Sequence, residues 1–238
     1  MTESTETAPS AEAVKRLFSV GAHFAQVKSR RHPSMRTYVL GAKGGVEIFD
    51  LEKTAEQIEA AKKVMTALSR DGKTVLFVGG KREANDAVRS AAKRVSQPFV
   101  ASRWLGGTIS NFTEIKKRID RLADLTAKRE SGELSKLYTK LERIYIDREV
   151  ARLEERLEGI TTLAKRPDAM VIVDTKHDGH ATKEARQAGI PIIAIISSDC
   201  DAKEATYPIV TNDSSRSTLS LILDDLASAF EEGYKGSV

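Results

Sequence analysis

The sequence predicts an α/β fold built on a parallel sheet and interrupted by a helical insertion. Two observations predict the sheet. Short runs rich in β-formers, KTVLFVG (73–79), AMVIVD (169–174) and IPIIAII (190–196), are apolar almost throughout, as strands covered on both faces must be. Amphipathic stretches separate them, which is the alternation of a parallel sheet with crossover helices. A third observation predicts the insertion: residues 114–166 carry 14 cations and 11 anions among 53 residues and break that alternation.

Taken in order, residues 1–12 (MTESTETAPSAE) show no apolar period and are expected to be a solvated tail. Thr37–Leu40 and Val46–Leu51 read as extended runs joined by the glycine-rich Gly41-Ala42-Lys43-Gly44-Gly45, a hairpin connection. Leu51–Arg70 is a helix, with Ile58, Ala61, Val64, Met65 and Leu68 on one face and Asp71-Gly72 as its stop. Lys73–Gly79 is a strand closed by Gly79-Gly80, and Lys81–Val95 returns to helical character. After the insertion come the strand at 169–174, a helix at 179–188, the strand at 190–196, a short strand at 207–210 and a helix from Ser214 to Phe230.

Within the insertion, Phe112, Ile115, Ile119 and Leu122 step by three and four. So do Ile146, Val150, Leu153, Leu157 and Ile160, with Ser131-Gly132 at a turn between the two series. The reading is a long antiparallel helical hairpin whose arms zip against each other, so no homodimer is predicted. The expected organisation is a globular domain formed by 13–108 and 167–232, the insertion at 109–166, and tails at 1–12 and 233–238.

Several functions are excluded or weakened. No apolar run approaches the roughly 18 residues of a membrane-spanning helix, and the N-terminus lacks the features of a secretory signal. A cytoplasmic location is expected. The single cysteine, Cys200, cannot form an intrachain disulfide. Ala67–Thr74 (ALSRDGKT) matches a loose phosphate-loop pattern, but there a helix precedes and a strand follows, the reverse of what a phosphate cradle needs. The four histidines lie near no nucleophile elbow, and no enzyme is predicted. No cofactor is required. A structural magnesium is considered at Asp174 with Asp199 or Asp201, which lie at the carboxyl ends of two expected strands.

The distribution of charge is more informative than the net +4. From Ala13 to Val46 there are seven cations and no acid, whereas Asp199–Lys235 carries three cations and eight acids. Lys28, Arg30, Arg31, His32, Arg36 and Lys43 fall in the acid-free stretch, where phosphate contacts are expected. Lys81 and Arg82 add positive charge to the next segment, and Arg103 stands beside Trp104, the only tryptophan. Trp104 is read either as a platform for a base or as a core anchor where the two modules join.

A series of words in the chain resembles one known family. They include Gly21-Ala22-His23-Phe24 with Pro33-x-Met35, Asp50-Leu51-Glu52-Lys53-Thr54, Phe77-Val78-Gly79-x-Lys81-Arg82 and Arg103-Trp104-Leu105-Gly106-Gly107-Thr108 with Asn111-Phe112. Leu157-x-Gly159-Ile160, Pro167-Asp168-Ala169, Lys183-Glu184-Ala185 and Gly189-Ile190-Pro191 continue the series. In this order, from Val14 to Ala229, they resemble the bacterial small ribosomal subunit protein two family. That resemblance implies a flavodoxin-like, Rossmann-type domain with a protruding coiled-coil hairpin. It also implies a non-catalytic role in the small subunit, contacting ribosomal RNA and neighbouring proteins and helping to seat ribosomal protein one. The chain departs from the family pattern at Ala25-Gln26, at Arg31-His32 and at Asp174-Thr175-Lys176-His177-Asp178-Gly179.

Overall fold

The computed structural model describes residues 11–163 and 165–235. The expected tail positions 1–10 and 236–238 lie outside the described residues. Helices α1 (Ala11–Ser19) and α8 (Arg216–Lys235) extend past the expected domain limits at either end.

The helix expected at 51–70 is α2 (Leu51–Arg70). Asp50 begins it by accepting the Glu52 N–H at 3.1 Å, and Gly72, at φ +62°, turns the chain beyond its end. Before it lies a small antiparallel sheet of β1 (Phe24–Val27), β2 (Val39–Lys43) and β3 (Val46–Phe49), in the order β1-β3-β2. Gly44 and Gly45, at φ +60° and +83°, make the β2–β3 turn, whose twist requires two positive dihedrals.

The larger sheet contains β4 (Val75–Val78), β5 (Phe99–Val100), β6 (Ala169–Val173), β7 (Ile192–Ile196) and β8 (Tyr207–Val210). All pairings are parallel and the order is β5-β4-β6-β7-β8. Numbered within the sheet, this is 2-1-3-4-5, the doubly wound order whose switch point falls between its first and third strands.

The apolar runs alternate between two cores. Val75, Phe77, Val171, Val173, Ile193, Ile195 and Ile209 face one cluster, completed by side chains of α1, α2, α3 (Asn85–Arg94) and α8. Leu76, Val78, Met170, Ile172, Ala194, Ile196 and Val210 face the other, with α7 (Gly179–Gln187) and the base of the insertion. Such a side chain contributes about 1.5–3 kcal/mol when fully buried, so a strand buried on both faces has no place for a polar residue.

The insertion contains α4 (Phe112–Glu130), the short α5 (Glu133–Leu137) and α6 (Lys140–Leu157). Gly132, at φ +73°, follows α4, and a reciprocal capping box between Thr139 and Glu142 starts α6. All nine expected seam residues are buried or half-buried in the second core. Arg121–Glu149 (2.8 Å) and Arg129–Glu154 (3.3 Å) join α4 to α6. These pairs climb both helices together; in a straight antiparallel ladder extended from the first pair, residue 129 would face Leu141.

Both edges of the parallel sheet are covered. At β8, Thr54 Oγ1 donates to the Val210 carbonyl at 2.7 Å, and the Val210 N–H donates to Gln57 Oε1 at 2.8 Å. At β5, the turn Glu158–Ile160 packs so closely that a side chain on Gly159 would overlap the Phe99 carbonyl.

Candidate nucleic-acid interface

Strand β1 leads into two tight 3-10 turns, Lys28–Arg30 and Pro33–Tyr38. His32 caps the second: its Nδ1 lies 2.8 Å from Ser34 Oγ, and the Ser34 N–H points to it at 3.4 Å. The segment is moored to the end of β7, because the His32 N–H donates to the Ser198 carbonyl (2.8 Å) and the Ala202 N–H to Ser34 Oγ (3.1 Å). Lys28, Arg30, Arg36 and Lys43 project from this segment and the β2–β3 hairpin, all exposed and without an ion pair to any described residue. Arg31 differs. Its guanidinium meets Glu47 Oε1 at 2.7 Å, and Glu47 is only 2% exposed. Arg31 therefore holds down β3 rather than offering a free charge to phosphate.

The carboxyl edge of the parallel sheet is the second concentration of charge. Gly79 and Gly80 follow β4 there, and Asp174, at φ +63°, follows β6, with its Oδ1 accepting the N–H groups of Lys176 (3.1 Å) and His177 (2.9 Å). The Gly80 N–H donates to Asp178 Oδ2 at 2.7 Å. Lys81 Nζ donates to Asp174 Oδ2 at 3.1 Å and lies at the same distance from Asp213 Oδ2, without hydrogen-bond alignment. Burial pushes the Asp213 carboxyl up to about 6, the nearby Asp174 charge adds to that, and Lys81 opposes it. Burial also acts to raise Asp174, but the His177 N–H and Lys81 hold it below the usual carboxylate range. Burial opposes the charge on Lys81 too, yet Asp213 and Asp174 keep its pKa above the ordinary lysine value. Lys81 is thus a half-buried counterion and not a free cation for RNA.

The three aspartates considered for magnesium are not gathered. Asp174 is taken by Lys81, Asp199 by Lys176 at 3.0 Å, and Asp201 accepts the Lys203 N–H at 3.1 Å with His32 Nδ1 3.7 Å away. Among the described residues no three His, Cys, Asp or Glu side chains are placed to share a metal. Magnesium demands a near-octahedral shell of oxygens, and here an ammonium holds the central carboxylate, so these residues do not fit the ion. Cys200 is buried beside them, its Sγ 3.5 Å from Asp174 Oδ1, and burial pushes its thiol up to about 12.

Trp104 is 7% exposed and its indole N–H donates to Glu184 Oε1 at 3.3 Å. The same carboxylate accepts the N–H groups of Gly107 (2.7 Å), Ile109 (3.0 Å) and Ser110 (3.2 Å). One glutamate of α7 therefore fixes the whole loop that leads into α4. Burial disfavours its charge, but the three backbone N–H groups and the indole together lower its pKa. Trp104 is a core anchor at this junction and offers no face to a base. Neighbouring Arg103, like Arg82, is exposed and makes no ion pair with a described residue.

The family model of ribosomal protein S2 matches residues 17–233. The chain belongs to the ribosomal protein S2 family. It is 38% identical over 223 residues to the small ribosomal subunit protein uS2 of Coprothermobacter proteolyticus, covering 94% of this chain and 83% of that protein. The uS2 proteins of Fusobacterium nucleatum (38% identical, 94% and 91% covered) and Dictyoglomus thermophilum (38%, 92% and 89%) are comparably similar. As a member of the S2 family the chain is a structural component of the small ribosomal subunit, not an enzyme.

On this S2 scaffold the phosphate-loop look-alike Ala67–Thr74 runs from the end of α2 into β4, the wrong order for a cradle. No helix among the described residues is long and apolar enough to cross a membrane. Two features escaped the sequence reading. Glu184 was visible as part of the word Lys183-Glu184-Ala185, but nothing local showed that four donors from residues 104–110 converge on it. The other is an apolar groove of about 810 Å3 bounded by α1, the small sheet and the start of α2, where Phe18, Phe24 and Leu40 are 62%, 51% and 71% exposed. The signal for it was the pairing of two exposed phenylalanines with a glycine-rich hairpin, which is too common to read alone.

Proposed function

We propose that this chain binds small-subunit ribosomal RNA, in the cytoplasm, chiefly through Lys28, Arg30, Arg36 and Lys43, with Arg82 and Arg103 extending the contact. The observation that carries this reading is that these cations stand without an ion pair to any described residue, while Arg31 and Lys81 each have a buried carboxylate. Cations left without an acid are available to phosphates. His32, as a turn cap, positions the segment. The apolar groove beside Lys43 is the seat for a neighbouring ribosomal protein, with protein one its occupant, since a surface this apolar calls for cover. The insertion serves as an antiparallel hairpin arm. Its seam period, the Gly132 turn and the capping box of α6 support this, and the Arg129–Glu154 pair is the contact such an arm gives up.

Binding of the full chain to a small-subunit RNA fragment over a salt series tests the reading. Four phosphate contacts give a slope of log affinity against log salt of about −3 to −4, and a slope near zero overturns it. Oxidation of paired cysteines tests the arm. Arg129→Cys with Leu141→Cys cross-links in a straight antiparallel hairpin, whereas Arg129→Cys with Glu154→Cys cross-links if the ion-pair register persists.

A further inference from the structure

A second, smaller cleft of about 390 Å3 opens between α4, α6 and the loop leading into α4. Arg118 of α4 and Arg152 and Arg156 of α6 line it, all exposed and none in an ion pair with a described residue. Among the described residues Arg152 donates only to the Arg148 carbonyl of its own helix, at 3.2 Å. The one acid lining the cleft, Glu149, is paired with Arg121, and Glu158, just past α6, is paired with Arg89 and Lys93. Three like charges thus line one cleft with no ion pair to a described residue. The rest of the lining is apolar: Leu105, Leu153 and Leu157, with the ring of Tyr145, 58% exposed.

Guanidiniums beside an exposed aromatic and an aliphatic lining match a nucleotide that is not in a helix, which offers phosphates and one free flat face at once. A base-paired stretch offers the phosphates alone. We propose that this cleft takes a single unpaired nucleotide of ribosomal RNA, its base against Tyr145 and its flanking phosphates on Arg118, Arg152 and Arg156. The inference rests on the RNA-binding reading above and adds a site that selects unpaired RNA. Exposed Arg103 stands two residues before Leu105 of the cleft lining.

The test is fluorescence anisotropy of the full chain with a short labelled single-stranded RNA of mixed sequence and a duplex of equal length. Tyr145→Ala should weaken single-strand binding about tenfold, with duplex binding unchanged and Tyr145→Phe restoring it. Arg152→Gln with Arg156→Gln should make the single-strand salt slope shallower by about 1.4. All these side chains are exposed, so the fold survives the changes, and circular dichroism checks it. If these variants bind single strands like the wild type while Lys28→Gln with Arg30→Gln binds less, the cleft inference fails and the RNA reading stands. If the wild type binds no RNA, both fall. If the cleft variants keep RNA binding but lose binding to poly-glutamate, the cleft serves an acidic protein segment and the inference is overturned.

Discussion

The carboxyl edge of the parallel sheet and the basic segment from Lys28 to Lys43 hold similar kinds of side chains and do opposite things with them. At the sheet edge, Lys81 is shared by Asp174 and Asp213, one of which lies 93 and the other 132 positions away in sequence. Along the basic segment only Arg31 meets a strong counterion, Glu47, while Lys28, Arg30, Arg36 and Lys43 meet none among the described residues. The difference teaches that the availability of a cation is decided by which acid the fold delivers to it. Local charge density does not decide it, since the acid-free stretch contains a paired arginine and the mixed one a half-buried, paired lysine.

Substitutions at the two regions should separate them by stability first and by binding last. The largest effect is expected for Lys81→Met, which leaves two buried carboxylates facing each other and should cost about 3–5 kcal/mol at pH 8. The sign with pH follows from Asp213, whose folded pKa of about 6 exceeds its ordinary value of 3.8. Between those values the native state binds the extra proton, so this carboxyl favours the fold at low pH and that contribution is lost as pH rises through 6. Urea unfolding of Lys81→Met should therefore show a smaller loss at pH 5 than at pH 8; equal losses would mean that Lys81 is not the counterion.

Next comes Arg31→Met, which strands Glu47 in a nearly closed site and should cost about 3 kcal/mol, placing Arg31 with the sheet-edge lysine rather than with its own neighbours. An unchanged urea midpoint would return Arg31 to the RNA-binding set. Glu184→Ala removes the acceptor of four donors and should cost about 2 kcal/mol once its partial exposure is allowed for. The fluorescence of Trp104 should shift to the red as the loop loosens. Because the Glu184 pKa is lowered, its contribution is present above the ordinary glutamate value and is lost as pH falls through the folded one. The smallest stability change, within about 0.5 kcal/mol, is expected when Lys28, Arg30, Arg36 and Lys43 all become glutamine. That variant should nonetheless show a salt slope about 3 shallower on RNA, and a large loss of stability instead would dissolve the contrast between the regions.

Much of the fold was legible because burial on both faces writes strands as unbroken apolar runs, and because α2 carries its own start and stop at Asp50 and Gly72. Strands β1 and β5 were not legible. Phe99–Val100 is too short to show a period, and Phe24–Val27 is a weakly patterned strand that leaves two apolar side chains in water. The helix expected from Lys81 begins only at Asn85, since the chain first turns at the sheet edge to place Lys81 between its aspartates. Of the expected contact residues, the exposed ones could be read from local charge, whereas Arg31, Lys81 and Trp104 owe their roles to partners distant in sequence. The aspartates considered for magnesium show the same limit: strand ends place them, but only the fold shows that Lys81 and Lys176 already hold Asp174 and Asp199.

The covered sheet edges bear on the life of the chain before it joins a ribosome. An edge strand with open N–H and carbonyl groups is a template on which identical chains stack. Here Thr54 and Gln57 answer the backbone of Val210, and the turn at Gly159 lies against Phe99. A newly made copy therefore offers its siblings no open edge of the parallel sheet on which to stack.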